Sequence, residues 1–131
     1  MKEMVTGYAH VGLYIKDVER SKKYYTDLLG FTCVSEFTND FGDQLAFMKS
    51  GSMILELIQH KVWMDRKDGL FDHIAMQVDD IEAVSAELKA KGVEFEDDIY
   101  FETRISHFVN GVKYQAWRGP DGEHLEIYQV L

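Results

Sequence analysis

Apolar and polar positions along the chain run twice through one cycle. "YAHVGLYIKDVE" (8–19) aligns with "FDHIAMQVDDIE" (71–82), putting His10 on His73, Asp17 on Asp80 and Glu19 on Glu82. Exchanges of Val for Ile, Leu for Met and Tyr for Phe fill most other positions, which is the signature of an internal repeat. Each segment predicts a short strand and then a helix that ends at glycine. In "VERSKKYYTDLLG" (18–30) Tyr24, Tyr25, Leu28 and Leu29 recur at helical spacing; in "IEAVSAELKAKG" (81–92) Ile81, Val84, Ser85 and Leu88 do. Asp17 and Asp80 stand where N-caps belong, and Gly30 and Gly92 where C-caps belong.

Strand patterns follow each helix. In the first half they fall at 31–37, 44–49 and 52–58. In the second half they fall at 93–95 ("VEF"), 112–118 and 123–130, with "SGS" (50–52) and "GPDG" (119–122) as turns. Each half therefore reads β-α-β-β-β. The predicted fold class is α+β, one domain over 1–131 built of two paired modules, 6–58 and 71–130, with a connector at 59–70. The irregular stretch 96–111 has the length of a lid or binding loop.

Two carboxylates break the apolar pattern. Glu56 sits inside "MILELIQ" (53–59) and Glu126 inside "HLEIYQ" (124–129). Burying a carboxylate without a partner is costly, so each needs a counter-charge, hydrogen bonds or a bound cation. Strand alternation groups Glu56 with Ile54 and Ile58, and Glu126 with His124 and Tyr128. If the first and last strands of each half pair, each half presents one His and one Glu. The set His10, Glu56, His73 and Glu126 then suits a divalent first-row metal. Taken singly, a His in an apolar strand is more often a satisfied core residue, and a Glu more often solvated or ion-paired. The repeat favours the metal, because the dull explanation would have to hold four times at matching positions. His124 has no counterpart in the first half, where Ile54 stands, and reads as a rim residue. His60 and His107 fall in connectors and read as solvated, and Cys33 as a packing residue.

Composition narrows the partners. A formal net charge of −9 argues against nucleic acid and anionic membranes. Hydrophobic residues at 46% supply a core, and no apolar run is long enough to span a bilayer. "MKEMVTGYAH" lacks a signal-peptide pattern and Cys33 is the sole cysteine, so no internal disulfide forms. These features point to a cytoplasmic protein.

From "HVGLYIKDVERSKKYYTDLLGF" to "GPDGEHLEIYQ" the chain resembles the vicinal oxygen chelate superfamily, and within it glyoxalase I (lactoylglutathione lyase). The resemblance implies paired β-α-β-β-β modules forming a cup around a metal. Its ligand order is His, Glu, His, Glu, matched by His10, Glu56, His73 and Glu126. Methylmalonyl-CoA epimerases have Gln where Glu56 stands, and extradiol dioxygenases use two His and one carboxylate, so the pattern implies an isomerase. The implied reaction turns the hemithioacetal of a 2-oxoaldehyde, such as methylglyoxal, and a thiol into a 2-hydroxyacyl thioester. Glu126 is implied as the proton-transferring base, with Glu56 second. The implied ion is octahedral, nickel first and zinc or cobalt as alternatives, since a tetrahedral site with four protein ligands would be closed. A homodimer whose sites combine one module from each subunit is also implied. Bacterial glyoxalase I carries an Arg four residues after its first ligand and an Asn four residues after its second, both holding glutathione. Here those positions are Tyr14 and His60, so the guanidinium clamp is absent, and Arg104 or Lys113 is the replacement to look for. Trp117, with Tyr14 and Tyr128, suggests a partly apolar pocket. Another metalloenzyme of the superfamily, an epimerase or dioxygenase, and a small-molecule binder remain as alternatives.

Overall fold

A computed structural model describes residues 4, 8–65, 68–69, 71–105 and 108–131. The chain divides into two compact units, Met1–Asp65 and Arg66–Leu131. The first holds β1 (Val11–Tyr14), α1 (Val18–Leu29), β2 (Thr32–Thr38), β3 (Gln44–Ser50) and β4 (Met53–Gln59). The second holds β5 (Ile74–Gln77), α2 (Ile81–Ala90), β6 (Tyr100–Glu102), β7 (Val112–Arg118) and β8 (His124–Val130). Each unit is one four-stranded sheet, ordered β1-β4-β3-β2 in the first and β5-β8-β7-β6 in the second. The first and last strands of each unit pair in parallel through the intervening helix, and the other pairs are antiparallel.

Alternation gives each sheet a helix-covered face and an opposite face. In the first unit Ala46, Met48, Leu55 and Leu57 are fully buried against α1, which turns Val18, Ser21 and Tyr25 inward. In the second, Trp117, Leu125 and Ile127 are buried, and α2 turns in Ile81, Ser85 and Leu88. Ser85 donates to the Gln115 side-chain oxygen at 2.6 Å, and Gln115 donates to the Asp97 carbonyl, so the polar atoms under α2 are matched.

The helix starts follow the caps expected from sequence. Asp17 accepts from the Arg20 N–H and Asp80 from the Ala83 N–H. A second device holds the same helix starts. The Gln59 side-chain oxygen accepts from the Val18 N–H, and the Gln129 oxygen from the Ile81 N–H, both at 2.8 Å. The final residue of each "LELIQ/LEIYQ" phrase thus satisfies the first orphan donor of the helix lying over its own sheet. Gln129→Ala leaves that donor unpaired and is expected to cost about 1 kcal/mol of unfolding free energy, read from urea denaturation at constant slope. Gly30 closes α1 with φ 77, a left-handed conformation that disfavours side chains. Lys91 caps α2, and Gly92, one residue beyond the cap, takes φ 99.

One strand lies elsewhere than the pattern predicts. "VEF" (93–95) forms only an isolated bridge, Phe95 to Trp117, and the third pairing of the second sheet is made by Tyr100–Glu102. The isolated Phe95 packs its ring on Trp117 at 5.6 Å, so its side chain serves the core while the ladder is taken up by Tyr100 opposite Tyr114. Part of the expected irregular stretch 96–111 is therefore strand.

Candidate functional site

Each sheet sets a carboxylate at the middle of its second face. In the parallel register Gly12 lies opposite Glu56 and Ala75 opposite Glu126, so the two units repeat one arrangement. His10 and His73 stand one residue before β1 and β5. Alternation brings each onto the face of the neighbouring glutamate. His10 Nε2 lies 3.8 Å from Glu56 Oε2, and His73 Nε2 lies 4.0 Å from Glu126 Oε2. Both His–Glu pairings expected from the repeat are formed within their own units.

These gaps exceed a hydrogen bond, whose heavy atoms sit at roughly 2.7–3.2 Å. Two donor atoms that share one cation at about 2.1 Å stand roughly 3 to 4 Å apart. Each half thus brings one imidazole nitrogen and one carboxylate oxygen together without a hydrogen bond between them, donor types that suit half of the ligand set of a divalent first-row ion. Burial pushes the Glu126 carboxyl above the ordinary carboxylate range, against the pull of His73 and His124. Glu126 is 8% exposed, so its charge requires compensation that the flanking Leu125 and Ile127 cannot give. Glu56 is less enclosed, with its side chain 19% exposed. Across the sheet Glu56 faces Phe47, whose ring meets His10 edge-on at 5.6 Å, while Glu126 faces Ala116.

Around Glu126 the second sheet carries an aromatic surface. Tyr128 and Tyr114 lie opposite one another and stack at 6.4 Å, with Tyr100 next in line on β6 and Phe108 against Tyr128. Burial raises both tyrosine hydroxyls, and the Glu126 charge acts in the same direction.

The expected substrate contacts fare unevenly. Tyr14 and His60 do come together: their rings meet at 4.8 Å with planes tilted by 33° on the Glu56 face, and His60 Nδ1 lies 2.9 Å from Asp43 Oδ1. His60 is thus not a freely solvated connector residue. Its hydrogen bond holds the Asp43 carboxyl below the ordinary range. Arg104 is largely exposed and grips Glu102 through two nitrogens at 2.7 Å, keeping that carboxyl down at about 2. Its fork is already committed to a carboxylate of its own chain. Lys113 points to the helix side and pairs with Glu82. Trp117 pairs with Leu125, on the face opposite Glu126, and is 1% exposed: it belongs to the core and is not brought to the site. His107 lies outside the described residues.

His124 is more than a rim residue. Both its ring nitrogens are buried without a hydrogen bond. Nδ1 lies 3.6 Å from Asp72 and Nε2 3.4 Å from Glu96, and its ring meets His73 at 5.9 Å. Alternation along β8 signalled that it shared the Glu126 face. Asp72 and Glu96, which bracket it, carried no signal in the sequence.

Comparison with known proteins gives one consistent result. The profile of the Glyoxalase/Bleomycin resistance protein/Dioxygenase superfamily matches residues 7–127. The uncharacterized protein YwbC of Bacillus subtilis (strain 168) is 30% identical, over 92% of this chain and 94% of its own. The crystal structure of a glyoxalase family protein from Enterococcus faecalis superposes with a TM-score of 0.82 at 26% identity, covering 96% of this chain and 99% of that one. The fosfomycin resistance protein FosX of Listeria monocytogenes, complexed with Mn(II) and sulfate, shares the fold with a TM-score of 0.70 at 15% identity, over 96% and 93% of the two chains. No described helix is long and apolar enough to cross a membrane.

Proposed function

We propose that this chain, which belongs to the Glyoxalase/Bleomycin resistance protein/Dioxygenase superfamily, is a metal-dependent isomerase of the glyoxalase I kind. It converts the hemithioacetal of a 2-oxoaldehyde and a thiol into a 2-hydroxyacyl thioester. The observation that carries this reading is the repeated His–Glu pair, His10 with Glu56 and His73 with Glu126, in matching sheet registers. Those four residues are the ligand set, with nickel first and zinc or cobalt next. The FosX structure, which holds Mn(II), adds manganese to the ions worth loading. The active form is a homodimer whose sites draw on both subunits.

When bound, a divalent ion supplies Lewis-acid stabilisation to negative charge developing on the two vicinal oxygens of the substrate. The chain does the rest. Glu126 removes the proton from one substrate carbon and returns it to the neighbouring carbon through an enediolate. Low exposure around Glu126 keeps water from competing for that proton. Tyr114 and Tyr128 give the substrate an aromatic wall beside the base.

Tyr14 and His60 support a second reading on a different substrate. A phenol and an imidazole in ring contact suit flat or apolar groups and do not grip a carboxylate as a guanidinium does. An epimerase, an oxygenase or a fosfomycin-type resistance enzyme on the same metal would accommodate that difference. The test is metal analysis of freshly purified protein, then removal of the ion and reloading with Ni, Co, Zn or Mn. Each form is assayed on adducts of methylglyoxal with several thiols, with oxygen uptake followed in parallel. Thioester formation restored by one of the ions is the expected result. Metal binding without turnover on any adduct would defeat the isomerase reading in favour of the second.

A further inference from the structure

The two His–Glu pairs are alike in register but not in support. Asp72 immediately precedes His73, and its Oδ2 lies 2.9 Å from His73 Nδ1. An ionised carboxylate only accepts hydrogen bonds, so Nδ1 carries the proton and the Nε2 lone pair is left free on the Glu126 side. Asp72 sits at the edge of a cluster of charged and imidazole side chains. His124 stands 3.6 Å from the same Oδ2, and beyond it Glu96 is held by Arg118 Nε at 3.1 Å. Arg118 is fixed in turn by two contacts to Asp68, at 2.6 and 2.9 Å. Among the described residues the first unit offers different side chains at these places: Ala9 precedes His10, and Ile54 occupies the place of His124.

From this asymmetry we propose that Asp72 is a positioning residue, fixing the tautomer and ring orientation of His73 so that the second unit offers the better-organised half of the metal site. The inference rests on the ligand assignment given under the proposed function. Outer partners of ligating histidines typically change metal affinity by roughly 10- to 100-fold when removed. Asp72, His73 and His124 also offer ligand atoms within 4.8 Å of one another, so direct coordination by Asp72 is the competing outcome.

The experiment uses the full chain and three proteins: wild type, Asp72→Ala and Asp72→Asn. Asp72 is largely exposed, and its loss leaves the core untouched. Affinity for Co(II) is measured by calorimetry and by the visible spectrum of the bound ion. The His73 tautomer is read from imidazole nitrogen chemical shifts in metal-free protein. Asp72→Ala is expected to bind Co(II) about 10- to 100-fold more weakly and to lose the Nδ1–H tautomer. Asp72→Asn keeps an accepting oxygen and is expected to retain most of the affinity and the tautomer. Unchanged affinity in Asp72→Ala overturns the proposal. So does an Asn variant as weak as the Ala variant, since Asp72 would then be binding the ion through its charge. If the wild type binds no cation, the functional reading fails, while the tautomer measurement still decides whether Asp72 positions His73.

Discussion

Glu126→Gln is expected to lower isomerase turnover by about 10²- to 10⁴-fold at saturating metal and substrate, the range that a positioned acid–base group contributes. Glutamine keeps the size and one accepting oxygen of glutamate but takes no proton, so the variant isolates proton transfer from shape. The site tolerates the change structurally. Burial already disfavours the charged form of Glu126, so a neutral amide in the same pocket is no harder to bury than the carboxylate it replaces. Because Glu126 is also proposed as a ligand, turnover is compared only after metal content has been brought to the wild-type level. Glu56→Gln under the same conditions supplies the control for the base assignment. Glu56 is the more exposed of the two and faces Phe47, so its substitution is expected to weaken metal binding more than proton transfer. Should the Glu56 variant lose more turnover at matched metal than the Glu126 variant, the base is Glu56. A Glu126 variant within a few-fold of wild type would sink both the assignment and the isomerase reading, whereas a binding protein would keep its ligand.

Local pattern carried the parts of the fold that one stretch of chain can specify. The helices, their Asp caps and most strands lie where spacing and side-chain alternation put them, because those features depend on neighbours a few residues away. The His–Glu pairing was legible only through the repeat: each pair joins residues far apart in sequence, and the match of His10 to His73 and Glu56 to Glu126 supplied the missing distance information. Features without a counterpart in the other half stayed hidden. Asp72, Glu96 and His124 assemble from three separate segments, and the first unit offers Ala9 and Ile54 instead, so no echo marked them. The strand at 100–102 was missed for a related reason. "VEF" and "YFE" carry equally strand-prone residues, and tertiary pairing decides between them: Phe95 makes one bridge and packs on Trp117, while Tyr100–Glu102 takes the ladder. Gln59 and Gln129 were visible in the repeated phrase all along. Their task, capping a helix that precedes them in sequence, needed the parallel pairing of first and last strands to be seen.

Trp117 marks the boundary between site and scaffold, and its removal is expected to give the largest stability loss of any single change considered. Its side chain is 1% exposed, paired with Leu125 across the sheet and met edge-on by Phe95. Trp→Ala at such a position typically costs about 3 to 5 kcal/mol, from lost burial and from a cavity the strands cannot close. For a chain of this size that corresponds to a fall in Tm on the order of 10 to 20 °C. The sequence reading made Trp117 a candidate substrate contact, and the two roles separate in kinetics. As a scaffold residue, it leaves KM unchanged at temperatures where the variant is folded, because its face of the sheet is turned away from Glu126. Trp117→Phe preserves much of the burial and keeps the comparison available if the alanine variant fails to fold; it is expected to lose less stability with the same unchanged KM. A variant that keeps its Tm but raises KM several-fold would return Trp117 to the substrate pocket and require the second sheet to present its helix-side face to ligand.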